Sequence, residues 1–292
     1  MSNIKKKKTL SLIMPFYNSE RFIKQSSSSL LNQSFDNFNL FLINDGSTDN
    51  SLEIIKSFKD NRIILLNKEH SGIIDSYNYA LNFADTPFVA RVDSDDIYLK
   101  DKFNHQIAFL ENNKNIDAVG TGVKYIGENN RIFPKNISPP TEHNHIIKNL
   151  FNLSPSLYTP TIVFKNNNID ELKLENDFYP EDLNFFLRFG ATHKFSNIPT
   201  VLTHIRITQN GYSSQHFNQL INDFIMKRQE FLTMDHYSNM AFKEIDLEEF
   251  IIKRELLSAY LNSPLLKLPE IFIKTIRTNP KIFIKLFRKL IY

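Results

Sequence analysis

Three aspartates follow an apolar run in FVARVDSDDIYLK, residues 88–100: Asp93, Asp95 and Asp96. Carboxylates this close repel one another, and only Arg91 stands beside them in sequence to balance the charge. Hard oxygen donors of this kind suit Mg2+ or Mn2+, ions that commonly bridge a protein carboxylate to a substrate diphosphate. Positive charge at such a place offsets the negative charge of a departing diphosphate. The plainer reading is a polar turn or helix cap, where Asp is common. Three acids in four residues behind a buried strand weigh against it. An EF-hand loop needs Gly at its sixth position and an acid at its twelfth; this chain has Tyr98 and Asn104 there. A second acidic pair, Glu181–Asp182 in YPEDLNFFLRF, opens a stretch with helical periodicity. Acids at a helix start complement its dipole. A carboxylate near a reacting hydroxyl also serves as a general base.

Other chemistries are excluded by what is missing. The chain has no cysteine, which removes disulfides, Cys-bound zinc and a thiol nucleophile. Its seven glycines assemble neither GxGxxG nor GxxxxGK[ST], so the usual dinucleotide fingerprint and the Walker phosphate loop are absent. Net charge is +3, but Lys5 to Lys8 are all basic, and residues 263–292 carry seven basic residues against the single Glu270. The body between them is therefore acidic, which argues against a nucleic-acid-binding core. The opening MSNIKKKKTLSL lacks the apolar region of a signal peptide, and no stretch reaches membrane-spanning length. The expectation is a cytoplasmic protein.

These residues need a frame to hold them. Over the first 125 residues strands and helices alternate. LSLIMP (10–15), NLFLIN (39–44), RIILLN (62–67), PFVARV (87–92) and IDAVGTGVKYI (116–126) read as strands. Between them fall a helix capped by Asn18 or Ser19, one capped by Ser47, Thr48 or Asp49, and helices carrying Ile74, Tyr77 and Leu81 and then Phe103, Ile107 and Leu110. That order predicts an α/β fold, a mostly parallel sheet with helices on both faces. Ligands in such sheets bind outside the carboxyl ends of the strands. Tyr17–Asn18, Asp45 and Asp93 to Asp96 all fall there. Beyond residue 126 the pattern predicts a helix near 141–151, a strand TIVF (161–164), a helix EDLNFFLRFG (181–190), a strand 198–207 and two helices within 215–262.

The motifs taken together resemble an inverting family 2 glycosyltransferase with the GT-A fold. SLIMPFYNSERFIKQSSSSLLNQSF resembles that family's P-x-Y-N opening, LINDGSTDNS its DDGSTD segment, and SGIIDSYNYAL its glycine and asparagine stretch. VARVDSDDIYLKDKFNHQIAFLENNKNIDAVGT resembles the A-R-x-D-x-D-D branch found among lipopolysaccharide O-antigen and capsule transferases. YPEDLNFFLRF resembles the E-D segment, and LTHIRITQNGYS the later Y-R-x-H-x-x-x-S segment. The resemblance spans residues 9–214. It implies that Pro15, Tyr17 and Asn18 line the base and ribose of a nucleoside diphosphate sugar, and that Asp45 bonds the base, most often uracil. It further implies Arg91, Asp93 and Ser94 near the ribose or donor sugar, Asp95 on a divalent cation, Gly72 allowing close backbone approach with Asn78 holding its loop, and Arg206 meeting the diphosphate. Asp182 becomes the base, with Glu181 orienting it or touching the acceptor. Four positions depart from the pattern: Asn44 for the first Asp of the usual pair, Tyr77 for a frequent Arg, Thr159 for a frequent His, and Thr208 for the later His that serves as a metal ligand in relatives. His204 or His216 is the candidate substitute for that ligand.

The resulting expectation is a hexosyl or N-acetylhexosaminyl transferase. It uses a UDP-sugar with Mn2+ or Mg2+ and a lipid-linked saccharide acceptor, in surface polysaccharide assembly, and it binds no nucleic acid. Residues 1–8 form a basic tail, 9–125 the nucleotide-sugar half, 126–214 the acceptor half, and 215–292 a helical region. Its end, NPKIFIKLFRKLIY, is cationic and amphipathic and suits an anionic membrane surface or a second subunit. Rival readings are a nucleotidyltransferase of related fold, a catalytically silent sugar-nucleotide-binding scaffold, and a haloacid dehalogenase-type phosphatase. The last places its D-x-D at the first strand, whereas three strands precede Asp93.

Overall fold

The structure is a computed structural model describing residues 8–175, 181–209 and 217–233, with Tyr237, Arg254, Leu257, Ser258, Leu261 and Asn262. The basic ends, His216 and most of the expected second carboxyl-terminal helix lie outside the described residues. In chain order the elements are β1 (Leu10–Phe16), α1 (Ile23–Leu31), β2 (Phe38–Asp45), α2 (Ser51–Lys56), β3 (Ile63–Lys68), α3 (Ile73–Leu81), β4 (Phe88–Arg91) and β5 (Ile97–Tyr98). They continue with α4 (Lys102–Asn112), β6 (Ala118–Gly127), α5 (His143–Phe151), β7 (Val163–Lys165), α6 (Glu181–Gly190), β8 (Phe195–Ile207) and α7 (Phe217–Leu232). Short 3-10 turns occupy Thr159–Thr161 and Ile169–Leu172.

The described strands form one sheet in the order β3-β2-β1-β4-β7-β6-β8-β5. β1 pairs in parallel with β2 and β4, and β2 with β3, as the alternating pattern predicts. Strand residues alternate between two cores because successive side chains leave a strand on opposite faces. Ile13, Phe41 and Ile43 join α3, α5, α6 and α7 on one face. Leu10, Leu12, Met14, Leu40 and Leu42 join α1, α2 and α4 on the other. A strand buried on both faces reads as a continuous apolar run, which is why these strands were legible.

The second half of the sheet is more mixed than expected. β7 is antiparallel to both β4 and β6, while β8 runs parallel to β6. The two-residue β5 sits directly behind the aspartates and pairs antiparallel with β8, Ile97 opposite His204 and Tyr98 opposite Thr203. Two residues carry no periodicity, so β5 was invisible in sequence. The first helix also starts later than expected, at Ile23, and its serines stay helical because Ser26 and Ser27 are buried. Asn18 is no helix cap; it adopts a left-handed φ of 49°. The second helix starts at Ser51, whose N–H bonds Asp49 Oδ1 at 2.9 Å.

The strand order reverses beside β1, with β2 and β3 to one side and β4 to the other. A crevice opens at such a reversal outside the carboxyl ends of the strands. Leu12 lies at the centre of the sheet with no exposed surface. Leu12→Ala is expected to cost about 2–5 kcal/mol of stability, measurable as a lowered midpoint in urea.

Candidate functional site

The loops after β1 and β2 are tied together. Asn18 N–H donates to Ser47 Oγ at 3.1 Å, and Asn18 Oδ1 accepts from Thr48 N–H at 2.8 Å. Tyr17 leaves this junction 44% exposed, and its ring stacks on His70 with centroids 4.1 Å apart. The pair forms an aromatic shelf at the crevice edge. His70 in turn lies 2.8 Å from Asp45 Oδ2. Pro15 is buried within β1.

Asp45, at the end of β2, serves its own chain heavily. Its carboxylate accepts from Ser71 N–H at 3.0 Å, Gly72 N–H at 2.9 Å, Ser76 Oγ at 2.7 Å and Lys68 Nζ at 3.0 Å. Burial opposes its ionisation, but these donors outweigh burial and hold its pKa below the ordinary carboxylate value. Gly72 leads into α3 with φ 94°, a left-handed conformation that favours glycine. Asn78 does not hold this loop as expected. It brackets Leu174, donating to its carbonyl at 2.8 Å and accepting from its N–H at 2.9 Å. It therefore braces the segment that leads towards α6.

The turn after β4 is held from several sides. Ser26 Oγ and Tyr98 Oη both donate to the Asp93 carbonyl, at 2.9 and 3.1 Å, and Ser94 Oγ bonds Ser19 Oγ at 2.9 Å. Asp96 is 2% exposed and accepts from Arg206 N–H at 2.7 Å. It braces the turn, and burial together with Asp95 and Asp93 raises its pKa well above the usual value. Burial, then the neighbouring Asp93, pushes Asp95 up to about 7. A carboxylate this reluctant to ionise is one that a divalent cation would relieve, so the oxygen donor set fits such an ion. Among the described residues no three acidic or imidazole groups converge on one point, and His204 lies on β8 opposite Ile97.

The guanidinium of Arg206, expected to meet the diphosphate, is engaged by four protein oxygens. Nε donates to the Asp95 carbonyl at 2.7 Å, Nη1 to the Gly127 carbonyl at 2.7 Å and Asn130 Oδ1 at 2.9 Å, and Nη2 to Gln25 Oε1 at 2.9 Å. The group also lies 4.4 Å above the Phe22 ring. It binds α1, β6 and the aspartate turn into one piece.

Arg91 joins the two acidic motifs. Its Nη2 donates to Glu181 Oε1 at 3.0 Å, and its Nε lies 3.7 Å from Asp93 Oδ1. Burial disfavours its charge, yet Glu181, Asp93 and Asp182 together raise its pKa. Asp182 follows Glu181 at the start of α6, backed by Phe164, Phe185 and Phe186. Burial, then the charge of Glu181, pushes it up to about 6, against the opposing influence of Arg91 and a hydrogen bond from Thr159. Sequence reasoning did not assign His70 or Thr159. His70 stands in the polar run just before Gly72, and Thr159 just before Pro160; only folding brings them to Tyr17 and Asp182.

A family model described as Glycosyl transferase family 2 matches residues 11–173. The Escherichia coli UDP-Glc:alpha-D-GlcNAc-diphosphoundecaprenol beta-1,3-glucosyltransferase WfgD is 32% identical over 219 residues, covering 72% of this chain and 82% of its own. S. aureus TarS residues 1–349, solved with UDP-GlcNAc, superposes with a TM-score of 0.60 at 20% identity, covering 90% of this chain and 78% of that one. The mannosyltransferase PcManGT of Pyrobaculum calidifontis, solved with GDP-Man and Mn2+, gives 0.59 at 14% identity, covering 98% and 80%. Likeness at these identities concerns the fold.

Replacing Arg206 with Met strands the Asp95 and Gly127 carbonyls. Hydrogen bonds to a charged group are each worth about 1.5–3 kcal/mol, so Arg206→Met is expected to lower stability by at least that much in urea denaturation.

Proposed function

The chain belongs to glycosyl transferase family 2 and has the GT-A fold, and from that premise we propose that it moves a hexose or N-acetylhexosamine from a nucleoside diphosphate sugar to a saccharide hydroxyl with inversion. One observation carries the reading. A half-buried carboxylate with raised proton affinity, Asp182, is linked through Glu181 and Arg91 to the aspartate turn at the carboxyl end of β4.

In this mechanism Asp182 accepts the proton of an acceptor hydroxyl. That oxygen forms a bond to the anomeric carbon on the face opposite the diphosphate. The bond from that carbon to the diphosphate oxygen breaks, and the electron pair leaves with the diphosphate. One displacement inverts the centre and needs no protein nucleophile. Asp95 would hold a divalent cation, Mn2+ or Mg2+; when bound, the cation supplies positive charge against the departing diphosphate. Tyr17 and Asn18, with Pro15 behind them, flank the nucleoside, and His70 extends the Tyr17 shelf. Asp45 faces the base while setting the Gly72 loop. Arg91, Asp93 and Ser94 border the ribose and the transferred sugar. Residues 9–125 then form the donor half and 126–214 the acceptor half.

A UDP-sugar is the first candidate donor, because WfgD is named for UDP-Glc and TarS was solved with UDP-GlcNAc. WfgD acts on a diphosphoundecaprenol-linked sugar, which supports a lipid-linked acceptor and a role in surface polysaccharide assembly. No described helix is long and apolar enough to cross a membrane. We place the enzyme at the cytoplasmic face of the membrane through its basic amphipathic end, residues 269–292, which lies outside the described residues. Deleting those residues is expected to abolish sedimentation with anionic vesicles while UDP binding persists; undiminished sedimentation rejects the membrane contact.

A panel of nucleotide sugars, screened by thermal stabilisation with Mn2+ and then by release of the nucleoside diphosphate, identifies the donor. Asp182→Asn is expected to lower turnover about a hundred- to ten-thousand-fold with nucleotide affinity preserved. The base must be ionised to act. A pKa raised to about 6 therefore predicts that kcat/KM is lost as pH falls through about 6 and is full above it. Wild-type turnover in Asp182→Asn sinks the mechanism.

A further inference from the structure

Two neighbouring carboxylates open α6, and the protein treats them differently. Glu181 Oε1 receives Arg91 Nη2 at 3.0 Å. Asp182 receives no guanidinium hydrogen bond among the described residues. Its Oδ2 accepts from Thr159 Oγ1 at 3.1 Å, and its Oδ1 from Leu183 N–H at 2.8 Å. Thr159 is presented by a rigid piece of chain. It opens the 3-10 turn Thr159–Thr161, is followed by Pro160 with its locked φ, and the turn closes with Thr161 N–H on the Tyr158 carbonyl at 2.8 Å. Thr161 Oγ1 adds a second bond to that carbonyl at 2.7 Å. Threonine itself is stiff at its first side-chain torsion.

We propose that Thr159 is a positioning residue for glycosyl transfer: its hydroxyl fixes the orientation of Asp182, while Arg91 engages Glu181, so that the two adjacent acids divide into proton acceptor and paired carboxylate. The inference rests on the reading of Asp182 as the base. Among the described residues, the groups that face Asp182 are few. Glu181 lies on its own helix, Arg91 comes from β4 with Asp93 on its far side, and Tyr77 comes from α3. Phe164 of β7, Leu174, and Phe185 and Phe186 of α6 are uncharged. Thr159 is thus a neutral donor beside the Arg91–Glu181 ion pair. It holds the carboxylate in place without adding a positive charge, which would lower the affinity of Asp182 for a proton.

A hydroxyl that donates to the carboxylate favours its ionised form, so removing it raises the pKa of the base. The test uses the full chain with Mn2+ and UDP-glucose, UDP-galactose or UDP-N-acetylglucosamine, read as release of UDP across pH. Thr159→Val is expected to move the acidic limb of kcat/KM to higher pH and lower kcat about ten- to hundredfold, with UDP affinity unchanged. Thr159→Ser is expected to restore both. Should the valine variant not fold, Thr159→Ala carries the same expectation. An unmoved acidic limb, or a serine variant as impaired as the valine one, overturns the role of Thr159. Asp182→Asn separates the two levels. If it retains turnover, the base assignment fails and the inference with it. If it is inactive while Thr159→Val keeps the wild-type limb, only the inference about Thr159 fails.

Discussion

The site depends on crowded carboxylates being held at one edge of a sheet by two buried guanidinium groups. Asp93, Asp95, Asp96 and Asp182 occupy neighbouring positions where desolvation and nearby carboxylates disfavour their charged forms, with Glu181 beside Asp182. The Arg206 guanidinium stabilises the turn by binding the carbonyls of Asp95 and Gly127, while the Arg206 backbone N–H holds the Asp96 carboxylate. Arg91 works through charge, standing between Asp93 and Glu181. One arginine therefore fixes shape and the other fixes potential. Among the described residues, the acid side chain near α6 without a guanidinium hydrogen bond is Asp182; on the turn Asp96 is held by the Arg206 backbone N–H and Asp93 lies 3.7 Å from Arg91 Nε.

This division explains why the scaffold is built as it is. Parallel strands β1, β2 and β4 bring their carboxyl ends to one edge, so short loops deliver Tyr17, Asp45 and the aspartate turn together. β8 then crosses the far side of the sheet and pairs with β5, which carries the turn onto a rigid element. α6 packs Phe185, Phe186 and Phe189 into the core below. Its first residues are thereby held at a fixed height above the sheet, and the aromatic packing beneath them supplies the low dielectric that raises the proton affinity of Asp182. Asn78 ties α3 to Leu174. α3 and the segment before α6 thus share one mechanical frame.

Much of this was legible in residue order. β1 and β2 are apolar runs buried on both faces, and runs of that kind have few other readings. The acidic motifs are dense enough that repulsion alone marked them. Residue order failed where a role depends on which neighbour a side chain finds. Arg206 carries a charge that suits a diphosphate equally well, and nothing local reveals that four protein oxygens already claim it. Asn78 has helical surroundings in either reading. β5 is too short to show a period, and Asn18 has the residue type of a helix cap but a left-handed backbone.

What the sequence by itself determined was the alternation of strands and helices, the edge at which chemistry gathers, and the acidic residues that could perform it, because those follow from local periodicity and from charge repulsion between near neighbours. Only the tertiary structure decided how these acids are divided. Contacts between residues far apart in the chain, Arg91 with Glu181, Thr159 with Asp182 and Arg206 with the Asp95 carbonyl, set which carboxylate is clamped, which is buried and which is left open. Proton affinity in a buried site is a property of that surrounding field, and no single segment of the chain contains it.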